Sequence, residues 1–334
     1  MNVLTEQPEI FLAFVCIGLL LGTLFFHLCL WKKKLSPAAA WLSLLLGTAL
    51  AAILAKAGYL VFNLEEQFGL YGIWALIRTK PESFCFVTGG VGYVLGVVLA
   101  ARILKQSRAE VLDCFAAAGC LIVACIRFGE LWLGEFGLGE LNTFGFPYIE
   151  DGSFAAFFPL SVKNDALDDW WLAICTLETL AALAAMIYAL LIRCKRPGLR
   201  FQRTVFLLCA CQFVLELTRS VSLIFFFVHV EQVFCALIML GLIIHAGILY
   251  RHLKGKQPVW AYILFFLCLL VNGLAQYALD KPYKFSDTEW FSEHVGPICL
   301  ACYLVTAVGL CLIYRALWHP ADSDYDANNG GITK

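Results

Sequence analysis

Charge is what this sequence has least of. Only 15% of its 334 residues are Asp, Glu, Lys or Arg, against roughly 25% in soluble chains. Nor is there a basic surplus: 24 Lys and Arg stand against 25 Asp and Glu, for a formal net charge of −1. A polyanion needs a basic surface to bind, so nucleic-acid binding is excluded. The 61% hydrophobic content excludes a disordered chain and an ordinary cytosolic enzyme. No basic stretch precedes the first apolar run and no A-x-A-like site follows it, so the first span is expected to be retained rather than cleaved. No repeat relates the two halves, which argues against a transporter.

Long apolar runs are what the sequence has instead. Nine of them lie near 9–31, 39–63, 84–104, 109–129, 170–192, 204–228, 232–250, 259–279 and 296–315. Each is close to the roughly 17–25 residues needed to cross a bilayer as a helix. Lipid offers the backbone no hydrogen-bond partners, so such runs are expected to be helical. The reading is an all-α polytopic membrane bundle, not the two soluble domains that the length alone suggests.

Lys and Arg set the orientation. With the N-terminus outside, the inner connections carry Lys32, Lys33, Lys34, Arg102, Lys105, Arg108, Arg193, Lys195, Arg196, Arg200, Arg203, Arg251, Lys254, Lys256, Arg315 and Lys334. The outer ones carry Arg78, Lys80, Lys163, Lys281 and Lys284. Sixteen against five places the C-terminus in the cytoplasm. The largest outer connection, 130–169, is rich in Gly, Phe and acidic residues. The tail 321–334 is polar and is expected to be disordered.

Most of the fifteen cysteines fall inside the apolar runs, so they are read as small buried hydrophobes. Cys299 and Cys302 form a C-x-x-C without a second pair, which leaves metal or redox chemistry as the lesser reading. No metal and no cofactor is expected.

A charge at membrane depth costs at least about 2.5–3.5 kcal/mol, so such residues are functional candidates. Arg127, Glu130 and Glu135 close the fourth run. Gln212, Glu216 and Arg219 lie on one stripe of the sixth, at spacings of four and three. Two readings stand. Either Arg127–Glu130 and Glu216–Arg219 are intrahelical pairs that make each other tolerable, or both stripes face one cavity that holds a charged ligand. Lys56 belongs to the same cavity or snorkels to the interface. Thr88, Gly89 and Gly90 open the third run and offer backbone to a lipid headgroup, whereas Gly92-x-x-x-Gly96 reads as helix packing.

Several strings resemble one family, the prolipoprotein diacylglyceryl transferases. S-F-C-F-V-T-G-G from Ser83 is similar to its S-F-H-G-G segment, and R-F-G-E-L-W-L-G-E from Arg127 to its R-x-G-N-F-x-N-G-E signature. A-K-A-G-Y-L-V-F-N, F-V-L-E-L-T-R and V-E-Q-V-F-C-A-L-I-M-L-G resemble G-R-x-G-Y-V-L-F-Y, F-x-x-x-E-F-x-R and G-Q-x-L-S-x-x-M-x-x-x-G. The resemblance covers roughly residues 8–250. It implies a seven-helix core over 1–255, an additional hairpin over 256–320 and a bacterial plasma-membrane location. It further implies transfer of diacylglyceryl from phosphatidylglycerol, or a related anionic phospholipid, to the lipobox cysteine of a secreted preprotein. On this reading Arg127, Glu130, Glu135 and Glu216 are catalytic. Arg219, Gln212, Thr88, Gly89, Gly90 and Gly134 bind lipid.

The chain departs from the family at Thr88, which replaces a His, at Glu130, which replaces an Asn, and at Gln212, which replaces an Arg. A first-helix Tyr is matched loosely by Phe11. The alternative is a non-catalytic or re-purposed lipid-binding relative.

Overall fold

The computed structural model describes residues 7–76, 83–139, 149–150, 152–164, 169–219, 223–225, 228–284 and 289–329. Among them run nine long helices: α1 Pro8–Lys32, α2 Ala38–Tyr71, α3 Phe86–Ile103, α4 Arg108–Gly129, α5 Ile174–Leu191, α6 Leu199–Leu215, α7 Val230–Lys254, α8 Val259–Asp280 and α9 Glu289–Asn329. Each contains a segment long and apolar enough to cross a membrane. The fold is a membrane-embedded all-α bundle. α1, α3, α4, α7 and α8 lie within a few residues of the spans that hydropathy marks out.

Four elements differ from the sequence reading, each for a local reason. α2 continues to Tyr71, but its backbone leaves helical geometry at Asn63, where the apolar run stops. The fifth span begins at Ile174 rather than 170, because Asp169–Ala173 is a strand. The sixth ends at Leu215 with a 3-10 turn over Glu216–Thr218, and part of the apolar run beyond it folds as a hairpin of strands. An apolar run rich in aromatic and β-branched residues satisfies its backbone as well in strands as in a helix, and hydropathy does not distinguish them. α9 extends to Asn329, so the tail is helical over 321–329, where disorder was expected. Extending an existing helix fixes one residue for each hydrogen bond gained, which is far easier than starting one. Residues 330–334 lie outside the described part.

Two small sheets sit in the connections. β1 (Leu138–Gly139), β2 (Ser161–Asn164) and β3 (Asp169–Ala173) form an antiparallel sheet in the order β1-β3-β2, with Leu138 opposite Ala173 and Val162 opposite Trp171. Leu138, Val162 and Ala173 are buried against Leu131 and Cys175, which packs the sheet onto the adjoining ends of α4 and α5. β4 (Ile224–Phe225) pairs with β5 (Val228–His229) between α6 and α7.

The helices enclose two main cores. One is shared by α1 to α4, around Phe26, Leu30, Tyr93, Val97, Phe115 and Ile122. The other joins α6 and α7 to the last two helices through Phe206, Phe213 and Met239 against Phe265, Ile313, Leu317 and Trp318. Residues 256–320 therefore share a core with the preceding helices. Between α2 and α3 the backbones touch: a Cβ on Gly92 would lie 2.4 Å from the Leu50 carbonyl oxygen, and one on Gly96 2.4 Å from the Gly47 Cα. Only glycine permits that approach.

Candidate functional site

The end of α4, the first turns of α3, α5 and α7, and the end of α6 converge on one buried set of charges. Arg127 leaves α4 at its last turn, with a residue exposure of 1%. Its Nη1 meets Glu130 Oε1 at 2.7 Å, its Nε meets Glu178 Oε2 at 3.3 Å, and its Nη2 meets Glu231 Oε2 at 2.8 Å. The Phe86 ring lies beneath the guanidinium, 3.9 Å from Cζ to centroid. Arg219 enters from beyond the 3-10 turn after α6. It contacts Glu130 Oε2 at 3.0 Å, Glu178 Oε2 at 2.5 Å and Glu216 Oε2 at 3.4 Å. Gln212 donates from Nε2 to Glu178 at 2.9 Å, Glu216 at 2.8 Å and Glu231 at 3.2 Å.

These partners join the two charged stripes into one network. The intrahelical pairs exist, yet each guanidinium also bridges to other elements, and Glu130 and Glu178 each hold both arginines. Removing a charge from water costs several kcal/mol, and each Arg sets three carboxylate contacts against that cost. The local fold serves this arrangement. Glu231, in the first turn of α7, accepts the Phe86 backbone N–H at the start of α3 at 2.9 Å, so one carboxylate meets two helix N-termini. The turn after Leu215 redirects the chain so that Arg219 reaches inward, where its backbone bridges to Gly139 of β1.

No family model and no curated protein matches the chain.

Arg127, Glu130, Gln212, Glu216 and Arg219 are thus brought together. The side chain of Glu135 lies outside the described residues. Gly134 is buried at a turn with φ +67°. Thr88 donates its hydroxyl to the Cys85 carbonyl at 3.1 Å and packs against Gly58 of α2. Gly89 is buried facing Ala55 of α2, whereas Gly90 faces open space. These three stand near the start of α3 but are not among the groups that contact the charges. Lys56 lies over the rings of Tyr59 and Phe84, at 5.4 and 5.5 Å.

Glu178 and Glu231 are the members that the sequence reading missed. Both sit in or beside apolar helices, and the rule that singled out Arg127 and Glu216 applies equally to them. Two of the departures from the family strings, Glu130 and Gln212, fall inside the cluster and both shift its charge negative. His229 borders it, with Nδ1 4.0 Å from Glu216 Oε1. Burial, and then the charge of Arg219, hold the imidazole down to about 4 from its ordinary 6.5. It is neutral near pH 7, so this approach is not an ion pair. All fifteen cysteines are free thiols, and among the described residues no group of His, Cys, Asp and Glu is set to hold a metal. Cys299 donates to the Ala275 carbonyl at 3.1 Å.

Proposed function

We propose that this chain is a membrane-embedded transferase of the prolipoprotein diacylglyceryl type, acting in a bacterial plasma membrane with its N-terminus outside. The carrying observation is convergence. Arg127 and Glu130 come from one stretch of sequence and Gln212, Glu216 and Arg219 from another; Arg127, Glu216 and Arg219 match strings resembling that family, whereas Glu130 and Gln212 depart from it. All five meet around Glu178. In the proposed step the preprotein's cysteine sulfur forms a bond to the terminal glycerol carbon of the diacylglyceryl group, and the bond from that carbon to the phosphate oxygen breaks. The thiol proton passes to a carboxylate of the cluster, and the guanidinium groups stabilise charge on the departing phosphate. The nucleophilic thiol belongs to the substrate, so none of the chain's own cysteines is needed.

A second reading, a lipid-binding relative without transfer activity, is favoured by one specific observation. Both guanidinium groups are already engaged by carboxylates, and the Thr88 hydroxyl, in place of the family's His, is turned to its own backbone. Complementation separates the two. Expressed where the resident transferase is depleted, the chain should restore lipid-modified preprotein. Correctly inserted protein that binds phospholipid but leaves the preprotein unmodified supports the second reading and overturns the first.

A further inference from the structure

We infer that the last two helices position the charged site, and that they act through Gln276 of α8; this rests on the reading of the cluster as the working site, with or without transfer. The first observation is a chain of amides. Gln232 is fully buried in the first turn of α7 and directly follows Glu231. Its Nε2 donates to the Phe213 carbonyl at 2.8 Å. That carbonyl belongs to the last turn of α6, where a helix leaves its carbonyls without a partner of their own. A carbonyl only accepts, so the Gln232 oxygen has to face away from it, and there it accepts from Nε2 of the buried Gln276.

The residues preceding this pair in the chain bond each other as well. Gln212, before Phe213, donates to Glu231, before Gln232, at 3.2 Å. Two adjacent rungs thus join α6 to α7, one made by the charged site and one held from behind by α8. Glu231 in turn meets Arg127 Nη2 at 2.8 Å and accepts the Phe86 N–H at 2.9 Å. Lipid offers an amide no substitute partner, so Gln232 keeps its orientation only while Phe213 and Gln276 both hold it.

The second observation does not involve the amides. Ala275, Ala278, Cys299 and Tyr303, from α8 and α9, form a buried cluster against which Leu217 packs. Leu217 lies in the 3-10 turn that starts at Glu216 and leads to Arg219. The two helices therefore reach both arms of the network one residue from a carboxylate, at Gln232 beside Glu231 and at Leu217 beside Glu216. Gln276 acts through Gln232, which makes it a positioning residue.

The test uses the purified full-length chain in detergent and needs no substrate. It reads the thermal midpoint and the guanidinium N–H resonance of Arg127, assigned by its loss in Arg127→Lys. Gln276→Met keeps the volume but cannot donate. It is expected to lower the midpoint and to shift that resonance. In acid, Gln276→Glu is expected to restore both toward the unsubstituted chain at the same pH, because a protonated carboxyl donates its O–H; the rescue fades as pH rises and the donor is lost. Phe265→Ala, in the core that α8 shares with α6 and α7, is the structural control and should lower the midpoint without moving the resonance. Gln276→Met and Glu231→Gln should couple by about threefold or more in the unfolding equilibrium. Where Gln276→Met fails to insert, Gln276→Asn, which keeps the amide one methylene short, is read in its place. A resonance that stays put overturns the inference, as does an equal shift in Phe265→Ala, an additive cycle, or no rescue in acid. Failure of the transferase reading is separable, since neither quantity involves lipid or preprotein. Coupling in a chain that never lipidates preprotein sinks only that reading, and lipidation without coupling sinks only this inference.

Discussion

At the scale of single residues, the cluster behaves as a unit, because each arginine is held by three carboxylates and two of the four carboxylates are held by both arginines. Arg127→Ala leaves Glu130, Glu178 and Glu231 short of a counter-charge in a buried place. A loss on the order of 3–5 kcal/mol is expected, measured by thermal or denaturant unfolding in detergent. Pairing it with Glu178→Gln should recover part of that loss, a non-additivity that independent sites would not show. Arg127→Lys should recover little, since an ammonium cannot reach three carboxylates as a planar fork does. His229 makes a pH prediction. Its folded value, about 4, lies below its unfolded 6.5, so the unfolded chain binds the extra proton. Stability is full above pH 6.5 and is lost as pH falls toward 4, by up to about 3 kcal/mol. His229→Gln should flatten the stability profile in that window; an unchanged slope would put the acid sensitivity elsewhere.

At the scale of elements, the close α2–α3 crossing is the most exacting feature. Gly92 and Gly96 stand on one face of α3 against Leu50 and Gly47, with no room for a side chain. Gly96→Leu is expected to push the helices apart and to cost about 1–3 kcal/mol or more. Since α3 carries Phe86, which both supports Arg127 and donates its N–H to Glu231, that displacement should also weaken the lipid binding proposed above. Gly90→Ala, on the open side of the same helix, should change neither quantity by much. Comparing the two variants in one thermal-unfolding series tests whether the glycines serve packing. The G-x-x-x-G spacing was legible in the sequence; which helix it meets was not, because spacing names a face and not a neighbour.

At the scale of the whole molecule, the bundle sets a buried charged site where the ends of five helices meet, beneath a small sheet. The asymmetry of sixteen basic residues against five predicts that this end faces outward. Reporter fusions at Gly152 and Arg196 should report opposite sides of the membrane, with Arg196 in the cytoplasm. Agreement between the two would remove one crossing from the topology. The last two helices add to the core around Phe206 and Met239, so truncation after residue 255 should destabilise α6 and α7 rather than release an independent hairpin.

Apolar runs near the length of a bilayer crossing were enough to determine the all-α membrane bundle and nearly all of its spans, because lipid leaves the backbone only its own partners. The same scarcity of charge made Arg127, Glu130, Glu216 and Arg219 visible one by one. Tertiary structure alone decided what they do to each other. Glu178 lies 51 positions from Arg127 in sequence and Glu231 lies 104, so no spacing rule connects them. Their pairing depends on how α4, α5, α6 and α7 cross. It was also the fold that turned Asp169–Ala173, Ile224–Phe225 and Val228–His229 away from helix, since a neighbouring strand can satisfy a backbone that hydropathy alone assigns to a span.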